Sequence, residues 1–255
     1  MQQPIGFFDS GIGGTSIWKE VVELLPNENT IYLADSLNAP YGEKSKERII
    51  ELSIKNTELL LKKNCKIIIV ACNTATTNAI DILRETYDIP FIGIEPAIKP
   101  AALLSKTEAI GILATKGTLS STLFEKTTQE YAKNITTIEQ DGEGLVPLIE
   151  AGKLNSEEVK SLLVKFLKPM LKFNIDHLVL GCTHYPYLIP QIKEIIGDTV
   201  TIIDSGEAVA KQTKSILEKH HLLNQSEFKS KHLFFTNGKK EVLAQFIGDQ
   251  PIELF

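Results

Sequence analysis

The sequence predicts an α/β protein of two similar units, each built on a mainly parallel four-stranded sheet, and three observations carry that prediction. Short unbroken apolar runs recur with helix-length segments between them, four such runs occur twice over, and the second series repeats residues of the first. Continuous rather than alternating apolar runs suit strands covered on both faces of a parallel sheet.

In chain order the first set is IGFF (5–8), TIYLA (30–34), KIIIVA (66–71) and PFIGI (90–94). The second is AIGILAT (109–115), ITTIE (135–139), HLVLG (177–181) and VTIID (200–204). Placing IGFFDSGIGGTS (5–16) over IGILATKGTLSS (110–121) matches Ile-Gly, an apolar pair, Ser10 with Thr115, and Gly11 with Lys116 just before Gly117. Each third run ends at a cysteine, Cys72 or Cys182, followed by polar residues. Duplication of a sheet-and-helix unit is physically reasonable because each copy buries its own core. Beyond the second set, GEAVAKQTKSILEKHH (206–221) has an amphipathic helix pattern, HLFFT (232–236) reads as a strand, and a last helix follows Asn237-Gly238. This tail is expected to return to the first unit, giving residues 1–95 with 207–255 as one domain and 96–206 as the other. His220, His221 and His232 read as solvated surface.

The 255 residues are 43% hydrophobic and 23% charged with a net charge of −5, the composition of an ordinary globular protein. The acidic balance offers no electrostatic footprint for nucleic acid or an anionic membrane. No basic segment precedes the first apolar residues, and the longest apolar run, 67–72, is too short to span a bilayer, so the protein is expected to be cytoplasmic. In that compartment three cysteines do not form a disulfide framework, and each is a buried filler, a metal ligand or a reactive thiol. Cys65, between lysines, reads as the filler.

Ligands of open parallel sheets bind beyond the carboxyl ends of the strands, where helix N-termini offer free N–H groups. Cys72 and Cys182 both fall at that edge, where a helix N-terminus is expected to lower a thiol's pKa. If the units face each other, one thiol approaches a ligand from each side. Acid/base groups on opposite faces of one carbon suit racemisation or epimerisation, whereas a hydrolase needs one nucleophile with a base and an oxyanion hole. Cys182 and His184 could ligate a metal, but no CxxC or HExxH pattern completes a zinc set.

Gly11 and Gly13 with Asp35 suggest a rival dinucleotide site. Against it, Ser16 stands where a third glycine belongs, and Asp9 at the strand end repels a pyrophosphate. Asp9 and Ser10 fit better as partners for an ammonium and a carboxylate. NAPYGEKS (38–45) is either a plain turn or a loop whose Tyr41 and Gly42 N–H groups hold a substrate carboxylate.

Taken together, FDSGIGG, PYG, ACNTA, VPLIE and GCTHYP, in this order and spacing, resemble the glutamate racemases of the cofactor-independent aspartate/glutamate racemase family. The resemblance implies two α/β domains about a pseudo-twofold axis, with the active site between them. It also implies that Cys72 acts on D-glutamate and Cys182 on L-glutamate. By the same resemblance Asp9 and His184 assist the thiols, Glu150 is a third acidic helper, and Asp9, Ser10, Tyr41, Gly42, Asn73, Thr74, Thr183 and His184 contact substrate. It implies no PLP, no metal, a homodimer, and supply of D-glutamate for peptidoglycan. One departure is IEQDGEGLVPLIE (138–150), where Asp141 and Glu143 make acidic a segment that in relatives often carries a small or thiol-bearing residue. A racemase of aspartate or a related dicarboxylic acid, or a dicarboxylate-binding module without turnover, are the alternative readings.

Overall fold

The computed structural model describes residues 3–225 and 229–255. The first unit runs β1 (Ile5–Asp9), α1 (Thr15–Leu24), β2 (Thr30–Ala34), α2 (Lys46–Lys62), β3 (Ile67–Val70), α3 (Asn73–Thr86) and β4 (Phe91–Gly93). The second follows with α4 (Ile98–Leu104), β5 (Ala109–Ala114), α5 (Lys116–Leu119), α6 (Thr122–Tyr131), β6 (Thr136–Asp141), α7 (Leu145–Glu150), α8 (Glu157–Leu171), β7 (His177–Gly181), α9 (Ile189–Ile196) and β8 (Thr201–Ile203). The tail contributes α10 (Gly206–Lys219), β9 (His232–Thr236), α11 (Lys240–Ile247) and β10 (Ile252–Leu254).

Two sheets result, ordered β10-β9-β2-β1-β3-β4 and β6-β5-β7-β8, with every pairing parallel. The eight runs read from the sequence are the eight strands β1 to β8. The first sheet has six strands rather than four, because β9 and β10 add to its β2 edge. Without β9, β2 would present a row of unpaired N–H and C=O groups. The β9 register, Thr30 opposite His232 through Ala34 opposite Thr236, covers that row completely.

Successive strand residues point to opposite faces of a sheet, and the cores divide accordingly. Ile5, Phe7, Ile67 and Ile69 join Leu113, Leu178 and Leu180 of the other sheet in one continuous apolar cluster. Phe8, Ile68 and Val70 instead pack with α2 and α3 residues such as Leu52, Leu60 and Ala79. Ile110, Ile112 and Val179 pack with Ile98, Ala101 and Phe124. The two units therefore share one apolar body while each keeps a separate outer layer.

His232 departs from the surface expected of it. It lies half-buried in β9, with Nδ1 2.9 Å from Thr30 Oγ1 and its ring edge-on to Trp18. His220 and His221 are exposed as expected. Among the described residues, no helix is long and apolar enough to cross a membrane.

Candidate active site

The strand ends set the site. Asp9 closes β1, Cys72 is two residues beyond β3 and caps α3, and Cys182 directly follows β7. All three are buried, with Asp9 0%, Cys72 5% and Cys182 6% exposed. Cys72, Cys182, Ser10, Tyr41, Gly42, Asn73, Thr74, Thr183 and His184 line one cleft between the two sheets. That cleft has a volume of about 10 Å³, about the room one water needs. Both thiols are among the residues that line this small cleft.

Cys72 Sγ accepts the Ala75 N–H at 3.4 Å and lies 3.9 Å from Ser10 Oγ. Its thiol was expected to be acidified by the helix N-terminus, but burial, and after it the charge of Asp9, push its pKa well above the ordinary thiol value. Desolvation of an anion outweighs the backbone N–H groups of Ala75 and Ser10 that favour the thiolate. Cys182 lacks a following α-helix; a 3₁₀ turn, Tyr185–Leu188, comes after it, and its Sγ lies 3.8 Å from His184 Nδ1.

His184 is the electrostatic partner of that second thiol. Burial alone would lower its pKa, but its bonds to Cys182 and Glu150 and the charges of Cys182 and Asp9 hold it well above the ordinary imidazole value. Glu150, expected as a helper, accepts at Oε1 from His184 Nε2 at 2.6 Å and from the Ile12 N–H at 2.7 Å. Its Oε2 accepts from Ser36 Oγ at 2.9 Å. One carboxylate thus ties the β1 and β2 loops of the first unit to the histidine of the second.

Asp9 Oδ2 accepts the N–H groups of Gly11 and Gly14 at 3.1 and 3.0 Å, and Oδ1 accepts the Thr183 hydroxyl at 3.3 Å. Burial raises its pKa against the opposing effects of His184 and those N–H groups. Two glycines of FDSGIGG, Gly11 and Gly13, make room for the other unit. A Cβ on Gly11 would stand 1.9 Å from Glu150 Oε1, and one on Gly13 would stand 2.2 Å from the His184 ring. This accounts for the glycine pattern that suggested a dinucleotide site.

The Tyr41 ring is core. Its hydroxyl donates to Asp35 Oδ2 at 2.6 Å and accepts from Asn56 Nδ2 at 3.1 Å, leaving the backbone as what Tyr41 can offer a ligand. Gly42 approaches Thr115 so closely that a Cβ there would lie 2.8 Å from the threonine Cβ. Thr74 Oγ1 is 2.7 Å from Thr115 Oγ1, a further hydroxyl contact between the units. Asn73 Nδ2 is buried without a hydrogen-bond partner. Buried donors are normally satisfied, so this amide is suited to a carboxylate entering the cleft. Ser36, Asp35 and Thr115 were not singled out as site residues. Thr115 carries a signal as the repeat counterpart of Ser10, Asp35 one only as the acid of the rival dinucleotide reading, and Ser36 none.

Among the described residues, no group of three or more His, Cys, Asp or Glu side chains could hold a metal.

The raised values of His184, Asp9 and Cys72 share a sign. In each case the folded protein holds a proton more tightly than the unfolded chain. The stability contributed by His184 is complete below its unfolded value of about 6.5 and is lost as pH rises through its raised folded value. We expect the melting temperature to fall from pH 6 to pH 9, with a shallower fall in His184→Gln. A wild-type melting temperature that rises over this interval would contradict the assignment.

The chain matches the Asp/Glu/hydantoin racemase family over residues 6–213. It is similar to a glutamate racemase of Herpetosiphon aurantiacus, 44% identical over 236 residues that make up 92% of this chain and 93% of that one. Two solved structures are also close. The glutamate racemase of Francisella tularensis in complex with D-glutamate has a TM-score of 0.86 at 31% identity, covering 100% of this chain and 97% of that one. The Escherichia coli glutamate racemase in complex with L-glutamate and the activator UDP-MurNAc-ala has a TM-score of 0.87 at 32% identity, covering 99% of this chain and 98% of that one.

Proposed function

The chain belongs to the Asp/Glu/hydantoin racemase family, and from that membership and its paired cysteines we infer that it interconverts L- and D-glutamate. The observation that carries the reading is that two buried thiols from equivalent strand ends line a single cleft.

The mechanism uses one thiolate and one thiol, on opposite faces of the substrate Cα. Cys182, beside an imidazolium that Glu150 keeps protonated, takes the α-proton of L-glutamate. Cys72, kept as a thiol by burial and Asp9, returns a proton to the opposite face and leaves D-glutamate. Negative charge on Cys182 disfavours ionisation of Cys72, which supports an arrangement with one thiolate and one thiol. D-glutamate reverses the two roles.

Asp9 and Ser10 take the α-ammonium and, through Ser10, part of a carboxylate. Asn73, Thr74, Thr183, His184 and the Tyr41–Gly42 backbone take the carboxylates. The α-proton of an amino acid is a very weak acid without an electron sink, so the site must hold the carboxylate among fixed donors and exclude water as the enediolate charge grows. The small closed cleft supports that requirement. It also requires the units to part before glutamate enters. The bodies that move are residues 1–95 with 207–255 and residues 96–206, a division supported by the two separate sheets.

Three further parts complete the reading: a homodimer, a cytoplasmic location, and supply of D-glutamate to peptidoglycan; the first and third rest on the family resemblance, the second on the short apolar runs. Sedimentation of the purified protein as a monomer would remove the first. Fractionation of cells with the protein in the membrane pellet would remove the second. Failure of D-glutamate to rescue depleted cells would remove the third.

Circular dichroism of L-glutamate incubated with the pure protein, without added PLP or metal, tests the main reading. The signal should decay to zero, and D-glutamate should reach the same end point. Decay with aspartate but not glutamate would replace the substrate, and binding without decay would leave a non-catalytic module.

A further inference from the structure

The C-terminal tail reaches the site. Because β9 runs parallel to β2 with Thr236 opposite Ala34, the next residues, Asn237 and Asp35, emerge side by side at the carboxyl edge of the sheet. Asn237 Nδ2 donates to Asp35 Oδ1, and its Oδ1 accepts the Leu37 N–H at 2.9 Å. Gly238 lies so close that a Cβ there would stand 2.6 Å from Ser36 Cβ.

Asp35 is 2% exposed, and among the described residues no Lys, Arg or His forms an ion pair with it. Its carboxylate instead accepts from Asn237, from Asn38 Nδ2 at 2.8 Å and from the Tyr41 hydroxyl at 2.6 Å. A buried carboxylate held by neutral donors depends on each of them. The loop organised around it carries Ser36, which donates to Glu150, and it leads to Tyr41 and Gly42 at the cleft.

We propose that Asn237 is a positioning residue for catalysis, a clamp from the tail that sets the 35–42 loop and, through Ser36, the Glu150–His184 pair. The side chain touches neither thiol nor cleft; it acts through the loop. This inference rests on the racemase reading for its kinetic consequence but not for its structural one.

The test uses the full chain. Asn237→Ala should lower kcat/KM for glutamate by about tenfold to a hundredfold, the scale on which a misplacement on the order of 1 Å acts. Ser36→Ala should produce a comparable loss. If Asn237 acts through Ser36, the double variant should fall within about twofold of the worse single variant, because linked residues are not additive. A residue that merely supports the fold would give losses that multiply, and that result overturns the proposal, as would Asn237→Ala within about twofold of wild type. Should Asn237→Ala fail to fold, Asn237→Ser, which keeps an acceptor near the Leu37 N–H, is expected to show a smaller loss with the same coupling. Hydrogen exchange over residues 36–42 separates this clamp from the racemase reading. Exchange should accelerate in Asn237→Ala whatever the protein catalyses, and unchanged exchange overturns the clamp even if the wild type racemises glutamate.

Discussion

Cys72→Ala and Cys182→Ala are each expected to lower glutamate racemisation in both directions by at least about 10³-fold, near the upper range for loss of one positioned acid/base group. Each variant keeps one thiol, and one thiol serves only one face of Cα. The fold should survive, because both side chains are small and sit at strand ends. Cys72→Ala gives up the long Ala75 N–H contact that caps α3, a loss of about 0.5–1 kcal/mol. Cys65→Ala is the control. That thiol is buried against Leu60 and Gly6, outside the cleft, and burial pushes its pKa up to about 12. Its removal should leave turnover unchanged. Wild-type turnover by either cleft variant, followed by circular dichroism, would sink the two-thiol assignment.

The second large effect belongs to Glu150. Glu150→Ala deletes the acceptor for the Ile12 N–H, the Ser36 hydroxyl and His184 Nε2 together. A histidine 1% exposed is then left charged without its partner or driven to neutrality. Breaking a buried ion pair from one side costs about 3–5 kcal/mol, so a marked drop in melting temperature is expected. Turnover should fall by at least about a hundredfold, as for loss of general acid–base support, because Glu150 no longer holds the imidazole beside Cys182 Sγ. Glu150→Gln restores the shape and the acceptor but not the charge, and should recover more stability than activity. A Glu150→Ala protein with wild-type melting and turnover would make this carboxylate a bystander.

What could be read from the sequence, and what could not, follows from distance along the chain. The strands were legible because a parallel strand buried on both faces needs an unbroken apolar run, and the sequence 67–72 and its counterpart before Cys182 have one each. The thiols were legible because they end equivalent runs. The Glu150–His184 bond spans 34 residues and the Asn237–Asp35 bond 202, and no local pattern encodes either. The direction of the Cys72 pKa was misread for a similar reason. The helix N-terminus is a local feature, whereas burial and the charge of Asp9 are products of the assembled cleft. FDSGIGG was visible as a glycine loop, but its close approach to Glu150 and His184 of the facing unit was not. The bond from the Tyr41 hydroxyl to Asp35, which fixes that ring in the core, was likewise not visible in NAPYGEKS.

The central claim is that Cys72 and Cys182 act on opposite faces of one carbon, and the fate of solvent hydrogen tests it most directly. L-glutamate is incubated with the protein in heavy water, sampled over the first turnovers, and the enantiomers are separated before mass spectrometry. With two thiols, the group that takes the substrate proton is not the group that delivers the product proton, and the delivering thiol has equilibrated with solvent. The account predicts D-glutamate fully deuterated at Cα from the first samples, with the remaining L-glutamate unlabelled. Unlabelled early D-glutamate, or substantial early deuterium in recovered L-glutamate, would contradict it, because a single base moving between the faces returns the original hydrogen or washes label into the substrate.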